Sequence, residues 1–460
     1  MWGARLAEQP AEAAWRLGVS TAFDRRLWRQ ELAGAKAHAR ELVRTGLLAA
    51  GEGLEIEQAL DECAELFVQD AFPWRPSDED LHGAVERWLI ERLGPLGGKL
   101  RAGRSRNDQI ANDLRLWVKD ESSTIRLLVA DLQEALVDLS ETHLGWVSPG
   151  YTHLQRGQPI LLSHHLLAHV WPLDRDVARL RAAASRADES VLGAGALAGT
   201  TLPLDPAAYA EALGFARVAP NSIDGVAARD FALEWLAAAA ILASHLSRLG
   251  EEIVLWSTSE FGFVRVGDAF STGSSMMPQK RNPDVAELVR GKTGRVVGRL
   301  VALLTTVKGL PLSYNRDLQE DKEPLFEAAD TLALCLGATT GMVRSLRFDR
   351  QRLEDAAAGG FSLATDLAEE LVRRGVPFRE AHDVIGGLVR LAESRDGGLE
   401  TLDAAELEAA HPALDSSITE LLDIRQAVER RASSLGTATA AVVVQLEAAR
   451  NAIARNRGDI

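Results

Sequence analysis

The sequence has 460 residues, of which 46% are hydrophobic and 25% are charged, and its formal net charge is −15 at pH 7. This length allows roughly two to four units of ordinary domain size, and the composition is that of a globular protein. The acidic balance argues against nucleic acid as the main partner, and no run approaches the roughly 20 apolar residues that a membrane-spanning helix needs.

The amino-terminal stretch MWGARLAEQP lacks a basic segment followed by an apolar core. No secretory signal is therefore expected, and the cytoplasm is the default compartment. Cys63 and Cys335 are the only cysteines of the sequence. They are too few and too distant in sequence to predict a disulfide framework or a thiolate metal site.

Three long helices are predicted in chain order. The stretch 107–144 contains no Gly or Pro, and its apolar residues recur mostly at steps of three, four or seven. Unbroken, that helix would span about 57 Å at 1.5 Å per residue, so it needs partners along its length. The Ala- and Leu-rich stretch 226–249 and the stretch 284–307 complete a predicted bundle core. The last stretch carries glycines spaced to permit close approach of another helix, namely Gly291, Gly294 and Gly298.

Gly and Pro cluster in four segments, which are predicted to be loops: 94–103, 149–159, 193–206 and 262–283. Strand-like alternation is scarce and aromatic residues make up only 5% of the chain. An all-α fold is therefore favoured over α/β.

The carboxy-terminal hundred residues change character and predict short amphipathic helices separated by a Gly-Val-Pro turn. A domain boundary is therefore placed near residue 355. The expected organisation is an amino-terminal helical domain (1–106), a central domain of long helices (107–355) and a small helical carboxy-terminal domain (356–460).

The segment most informative about function is STGSSMMPQKRNPD, from Ser271 to Asp284, which leads directly into a helical pattern. Gly273 lets the backbone approach a ligand, and the hydroxyl of Ser274 can act as a donor or a base. Lys280 is placed to meet negative charge. These groups suit the handling of an anion, although a helix-capping loop has a similar composition, and composition alone leaves both interpretations open.

This loop resembles the signature loop of the fumarase/aspartase superfamily, whose members eliminate across a succinyl unit to release fumarate. The segments GRSRNDQ, GYTHLQRGQP and LPLSYNRDLQEDKEP resemble the argininosuccinate lyase family and its δ-crystallin relatives. Further matches in LGAGALAGTTLP and ATDLAEELVRRGVPFREAH extend the resemblance over nearly the whole chain. It implies a three-domain all-α fold and a base-catalysed β-elimination that splits argininosuccinate into arginine and fumarate, the last step of arginine biosynthesis.

The resemblance implies four catalytic side chains. Removing a hydrogen beside a carboxylate requires a base and stabilisation of the negative charge that develops. By similarity to the family, Ser274 is that base, and Lys280 stabilises both its alkoxide and the carbanion-like intermediate. His153 is the expected second titratable group, and its family partner, a glutamate, matches Glu287. Whether His153 donates a proton to the leaving nitrogen or orients other groups is left open.

The resemblance also implies the substrate-binding groups. Donors for the substrate carboxylates are expected from Ser20, Ser105, Arg106, Asn107, Thr152 and Asn282, with Gln155 in the same motif as Thr152. The arginine end is expected at Tyr314, Gln319 and Lys322, with Asp284 near an amino group.

Residues so far apart in sequence require long-range folding or several chains. In the family, helices of four subunits form one bundle and each active site takes segments from three subunits, so the resemblance implies a homotetramer with shared sites. A small-molecule substrate is the other partner expected, with no nucleic acid and no membrane. No cofactor and no metal are expected, because no nucleotide motif appears, His164 and His165 are adjacent, and the remaining histidines show no metal-ligand spacing with carboxylates.

Three pairs of residues depart from the family pattern. Ala227-Ala228 replaces the usual Ser-Asp, Arg101-Ala102 replaces His-Thr or a similar pair, and Leu17-Gly18 replaces Phe-Asn. These changes fit neutral drift, or a related carbon–nitrogen lyase that releases fumarate from a different N-substituted aspartate. A structural protein of the δ-crystallin type is a third alternative. The residues expected at the centre of the site are all present, which argues for an active enzyme. They are Ser274, Lys280, Asn282, His153 and Asn107.

Overall fold

Helices dominate the computed structural model, in which residues 10–458 are described. The sequence MWGARLAEQP, from which no secretory signal is expected, lies outside the described residues except for Pro10. In chain order the α-helices are α1 (Glu12–Gly18), α2 (Thr21–Asp24), α3 (Trp28–Arg44), α4 (Ala50–Val68), α5 (Leu81–Leu93), α6 (Pro95–Lys99), α7 (Arg106–Thr142), α8 (Leu162–Ala187), α9 (Pro206–Ala212), α10 (Ser222–Ala227), α11 (Asp230–Trp256), α12 (Asp284–Val307), α13 (Lys322–Ser345), α14 (Arg350–Ala358), α15 (Ala364–Arg373), α16 (Phe378–Glu393), α17 (Ala404–Ala410), α18 (Ile424–Arg430) and α19 (Thr439–Gly458).

The strands of the described chain form four two-stranded sheets. Three pairs are antiparallel, and the β3–β4 pair is parallel. The strands are β1 (Val147–Thr152), β2 (Gln155–Leu161), β3 (Glu189–Ser190), β4 (Arg217–Val218), β5 (Val264–Arg265), β6 (Thr272–Gly273), β7 (Arg281–Asn282) and β8 (Arg347–Phe348). The β1–β2 sheet corrects the prediction that 149–159 is a loop, because this Pro- and Gly-rich segment pairs with itself as a hairpin. The mainly helical prediction is confirmed.

The longest predicted helix is confirmed as α7, and its start has a local cause. The backbone N–H of Ser105 donates to the Asp108 carboxylate (3.0 Å), and the Ser105 hydroxyl accepts from the N–H of Asn107 (3.2 Å). A serine and an acidic residue three positions later satisfy otherwise orphaned N–H groups in this way at helix starts. Asp108 is fully buried and also accepts from Gly195 N–H (2.8 Å).

The predicted ends agree with the structure for one of the other two long helices but not for the second. The predicted helix 284–307 coincides with α12. The predicted helix 226–249 is instead divided, because Ala228 adopts an extended backbone (ψ 128°) that ends α10 before α11 begins at Asp230. The helix α11 then continues to Trp256, beyond the predicted end.

The described chain contains two compact units. Unit 1 comprises the described residues up to Ile125, Ala178–Ile241 and Gly294–Leu332. Within it, Trp117 of α7 meets Trp235 of α11 and Phe326 of α13 edge-on, with ring centroids 5.9 and 4.9 Å apart. Such edge-to-face contacts add specificity to the apolar burial that holds the helices together.

Unit 2 comprises Arg126–Val177, Leu242–Thr293 and the described residues from Ala333 onward. Its carboxy-terminal part confirms the predicted amphipathic helices: Leu371 of α15 and Leu388 of α16 lie in one buried cluster. The predicted domain boundaries after residues 106 and 355 stay a prediction. Among the described helices, none is both long and apolar enough to cross a membrane.

The glycines of α12 lie against open space rather than against another helix of the same chain. A Cβ at Gly291, Gly294 or Gly298 would meet no atom of the described chain within 4 Å, the helix's own nearby backbone aside. Close helix approach at these glycines is thus not formed within the described chain.

Candidate active site

The signature loop is held at its base by the short β6–β7 sheet. Thr272 pairs with Asn282, and Gly273 pairs with Arg281. The Thr272 hydroxyl also donates to the carboxylate of Asp284, the first residue of α12. Residues 275–280 at the tip are exposed. The loop is therefore fixed at both ends, while the side chains at its tip face solvent in the single chain.

The predicted base, Ser274, lies where the loop leaves the sheet. Its hydroxyl oxygen accepts the backbone N–H groups of Met276 (3.2 Å) and Met277 (3.0 Å). Two donors aimed at one oxygen favour its negatively charged form, so they lower the cost of an alkoxide. Lys280 is exposed at the far side of the tip.

Arg281 anchors the signature loop and was not anticipated from the sequence. Its guanidinium donates to the carbonyl of Val266 (2.6 Å) and pairs with Asp268. The adjacent Asn282 is half-buried and lines, with Arg281, a cavity of about 850 Å³. These two contacts of the half-buried Arg281 tie the end of the loop to the 266–268 segment, and the only sequence signal was its place beside Lys280.

His153 lies at the tip of the β1–β2 hairpin. Thr152 pairs with Gln155, which leaves His153 and Leu154 as a two-residue turn with φ values of 55° and 56°. Two successive positive φ values are typical of the type I′ turn that matches the twist of a hairpin, but they are unusual for residues other than Gly, Asn or Asp. His153 is exposed at this turn.

Glu287 is exposed in the first turn of α12, which also begins with Asp284. No ion pair joins Glu287 to His153 among the residues that the structure describes. Their expected pairing therefore stays a prediction. Gln155 is exposed and lines a cavity of about 730 Å³ together with Arg156.

In unit 1, Glu79 is the meeting point of three predicted segments. Its carboxylate accepts from Arg316 (2.8 Å) and lies 3.8 Å from the guanidinium of Arg106. Its carbonyl accepts the backbone N–H of Ser20 (2.8 Å). Arg106 forms its closer ion pair with Asp80 (3.0 Å). Ser20 and Arg106, predicted as substrate-binding residues, are thus brought together.

Gln319 joins this group through the backbone of Gly18. The Gly18 carbonyl accepts from the side chains of Gln319 (2.9 Å) and Arg316 (2.8 Å). The Ser20 hydroxyl donates to the buried carboxylate of Asp24 (2.6 Å). The sequence did not indicate Glu79, Asp80 or Asp24, and Arg316 stood out only as part of the matched YNRDLQEDK segment.

Asn107 and Ser105 lie at the start of α7. The Asn107 side chain donates to the carbonyl of Ala196 (3.2 Å), in a segment that Asp108 also anchors through Gly193 and Gly195. Burial raises the pKa of Asp108 to about 6, although three backbone N–H groups and Arg104 oppose that shift. The residues predicted at the start of α7 are therefore half-buried where this helix contacts the 193–196 segment.

Lys322 is buried and already forms an ion pair within the chain. Only 1% of its surface is exposed, and its ammonium donates to the buried carboxylate of Asp321 (2.7 Å), which Arg229 also contacts (2.5 Å). Its predicted contact with the substrate stays a prediction. Burial raises the pKa of the Tyr314 phenol above its usual value.

The expectation that the remaining histidines show no metal-ligand spacing with carboxylates is wrong at His169, which lies with His165 beside a glutamate. His165 and His169 are four residues apart on α8, and Glu252 of α11 lies beside both. Each of the three offers a ligand atom within 4.8 Å of the others. The signal was present as a His-x-x-x-His pair, which places two imidazoles on one helix face.

Comparisons with known proteins agree with these motifs. A family model described as lyase matches residues 8–298, and one described as argininosuccinate lyase C-terminal matches residues 361–429. The argininosuccinate lyase of Thermobifida fusca is 53% identical over 458 residues, which are 99% of this chain and 96% of the relative. That of Symbiobacterium thermophilum is 51% identical over 458 residues, covering 100% and 99%.

Two solved structures share the fold. An EDDS lyase variant with bound fumarate has a TM-score of 0.83 and 28% identity, covering 99% of this chain and 93% of that one. A class II fumarase from Schistosoma mansoni has a TM-score of 0.74 and 17% identity, covering 87% and 90%. The predicted resemblance is confirmed, and the chain belongs to the argininosuccinate lyase family.

Proposed function

We propose that this protein cleaves argininosuccinate into arginine and fumarate, the last step of arginine biosynthesis, in the cytoplasm. The observation that carries the proposal is 53% identity to an argininosuccinate lyase over nearly the whole of both chains. The signature loop adds chemistry to that likeness, because it offers a hydroxyl that already accepts two N–H groups.

The reaction begins at Ser274. Its alkoxide takes the proton from the carbon beside a substrate carboxylate, and Lys280 stabilises the negative charge that collects there. The electron pair then forms the double bond of fumarate as the carbon–nitrogen bond breaks. The departing guanidino nitrogen takes a proton, for which His153, with Glu287, is the proposed source. The proton taken by Ser274 returns to solvent and resets the base.

The proposed site is assembled from several copies of the chain. His153 and Lys280 are exposed, and a single chain leaves both facing solvent. The helix α12 has an open glycine face and exposed apolar side chains at Val297, Val301 and Leu304, a stripe that a partner helix would bury. We therefore propose a homotetramer in which segments of different subunits complete each site.

Substrate carboxylates are proposed to bind among the predicted donors, which are Ser20, Ser105, Arg106, Asn107, Thr152, Gln155 and Asn282. The arginine end is proposed to contact Tyr314, Gln319 and Lys322, with Asp284 near an amino group. Arg316 and Glu79 hold this group in place, since Arg316 joins the Gly18 carbonyl to the Glu79 carboxylate.

A different N-substituted aspartate is the second candidate substrate, and the observation that favours it is at Gly18. A Cβ at Gly18 would lie 3.0 Å from the guanidinium of Arg316, so the usual asparagine there would require the end of this flexible side chain to shift by a few tenths of an ångström. The glycine therefore leaves room for the close contact between Arg316 and the backbone of residue 18.

The test is fumarate release, followed by ultraviolet absorbance, from argininosuccinate and from a panel of other N-substituted aspartates. We expect argininosuccinate to be the preferred substrate and Ser274→Ala to lower turnover by about 10²–10⁴-fold. Ser394→Ala, an exposed serine at the end of α16, is the matched control and should keep full activity. Preference for another aspartate would establish the second candidate, and a near-normal rate for Ser274→Ala would reject Ser274 as the base.

A further inference from the structure

Two histidines and a glutamate converge at one point between α8 and α11 in unit 2. The Nε2 atoms of His165 and His169 lie 2.7 and 2.8 Å from the same carboxylate oxygen of Glu252. Residues four apart on a helix lie on one face, so the two imidazoles form a pair with fixed spacing. None of these residues belongs to the groups proposed to bind or transform the substrate.

The arrangement is open enough to exchange a ligand with solvent. The side chains of His165, His169 and Glu252 are 25%, 16% and 36% exposed. They line a cavity of about 100 Å³, together with His245. This volume is several times the roughly 30 Å³ that a water molecule occupies in the liquid. The cavity can therefore hold an ion that keeps a water ligand.

We propose that His165, His169 and Glu252 form a binding site for a divalent transition-metal ion of the Zn²⁺ or Co²⁺ class. Two imidazoles and one carboxylate are a donor set that such ions prefer, whereas Mg²⁺ and Ca²⁺ select oxygen ligands. Three protein ligands leave one tetrahedral position for water. The carboxylate offsets one of the two positive charges, and the neutral imidazoles supply the two nitrogen lone pairs.

The present hydrogen bonds are compatible with this role. An ionised carboxylate can only accept, so each Nε2 facing Glu252 now carries the hydrogen. Burial raises the pKa of Glu252, but the hydrogen bonds from the two histidines outweigh burial and lower it, which keeps the carboxylate ionised. Metal binding moves each ring hydrogen to Nδ1 or to solvent and replaces two hydrogen bonds with coordination bonds.

The cavity wall also sets limits on the site. The Nδ1 atom of His245 is 2.6 Å from the buried carboxylate of Asp176, which fixes that imidazole at the edge of the cavity. Arg248 lines the same cavity and adds positive charge. A second cation is therefore disfavoured, and the expected stoichiometry is one ion per chain.

The experiment uses the full-length protein after chelation and dialysis. Titration with Zn²⁺ by calorimetry should give one site per chain, and Co²⁺ should produce the visible absorption bands of a tetrahedral complex. His165→Ala and His169→Ala should each weaken Zn²⁺ binding by at least about tenfold. Zn²⁺ should raise the thermal midpoint of the wild-type chain but not that of these variants.

His164→Ala is the matched control, because His164 is adjacent on α8 but contacts Gln445 instead. It should bind Zn²⁺ as the wild-type chain does. Glu252→Gln keeps a hydrogen-bond acceptor for the histidines, so it tests the carboxylate ligand even if an alanine variant does not fold. Absence of Zn²⁺ binding in the wild-type chain, or equal binding in Glu252→Gln and His164→Ala, would overturn the proposal.

Discussion

At the scale of single residues, the most consequential ionisable group outside the proposed site is His82. It is buried between two buried carboxylates, with Nε2 2.9 Å from Asp113 and 3.4 Å from Glu31. Burial alone would lower the pKa of His82, but attraction to Glu31 and the contact with Asp113 raise it to about 9. The imidazolium is therefore the native form at neutral pH.

This pKa predicts how stability depends on pH. Because the pKa of His82 is higher in the folded chain than its ordinary value of 6.5, its contribution is complete below pH 6.5 and is lost as pH rises through about 9. His82→Gln should lower the free energy of unfolding by about 3 kcal/mol at pH 6, because it removes the cation between the buried Glu31 and Asp113 side chains. Burial raises the pKa of Asp113 to about 7, which reduces the negative charge that His82 faces at this pH. Urea unfolding at fixed protein concentration should show this difference shrinking between pH 6.5 and 9.

His38 provides the control. Burial lowers its pKa to about 2, so this histidine is neutral in the folded chain throughout the same pH range. The stability difference between the wild-type chain and His38→Gln should stay constant to within about 0.4 kcal/mol from pH 6.5 to 9, because only the unfolded imidazole titrates in this range. A difference for His82→Gln that is equally constant would show that His82 is neutral and that the carboxylates are not held by its charge.

At the scale of elements, the β1–β2 hairpin carries a measurable backbone cost. Leu154 has a φ of 56° and is 65% exposed. Its left-handed backbone conformation is unfavourable for leucine, and burial of the side chain offsets little of that free energy. Leu154→Gly should raise the free energy of unfolding by about 1 kcal/mol, because glycine adopts this conformation freely. Leu54→Gly is the matched control: Leu54 is 61% exposed inside α4, and its replacement should cost about 1 kcal/mol. Loss of stability in both variants would mean that Leu154 is held by packing rather than strained.

Elements whose signals are local were predicted well. The helices α7 and α12 follow from apolar periodicity and the absence of proline, which act within a few turns. The break at Ala228 has no such signal. It precedes Arg229, whose buried ion pair with Asp321 depends on a residue 92 positions away. The hairpin at His153 was mistaken for a loop for a related reason, since pairing of two strands is not visible in the composition of one segment.

At the scale of the molecule, the sequence predicted the segments of the proposed site but not the contacts that hold these segments together. Family motifs identified Ser20, Arg106 and Gln319, and the structure brings them together in unit 1. Glu79, which contacts Ser20, Arg106 and Arg316, belongs to no matched motif. The role of this carboxylate depends on residues that are distant in sequence, so no local sequence pattern predicts it.

The open glycine face of α12 predicts how the proposed tetramer responds to a larger side chain. Gly298 is exposed within the chain, and an added side chain there meets nothing within 4 Å, so Gly298→Leu should fold as a single chain. If α12 packs against a helix of another copy at this face, the leucine prevents that close approach and the tetramer should dissociate. Sedimentation would measure the loss, and activity should fall with it because the proposed sites are shared. Gly51→Leu, at an equally open position on α4, should leave the assembly intact. A Gly298→Leu variant that stayed tetrameric would show that this face lies outside the subunit contacts.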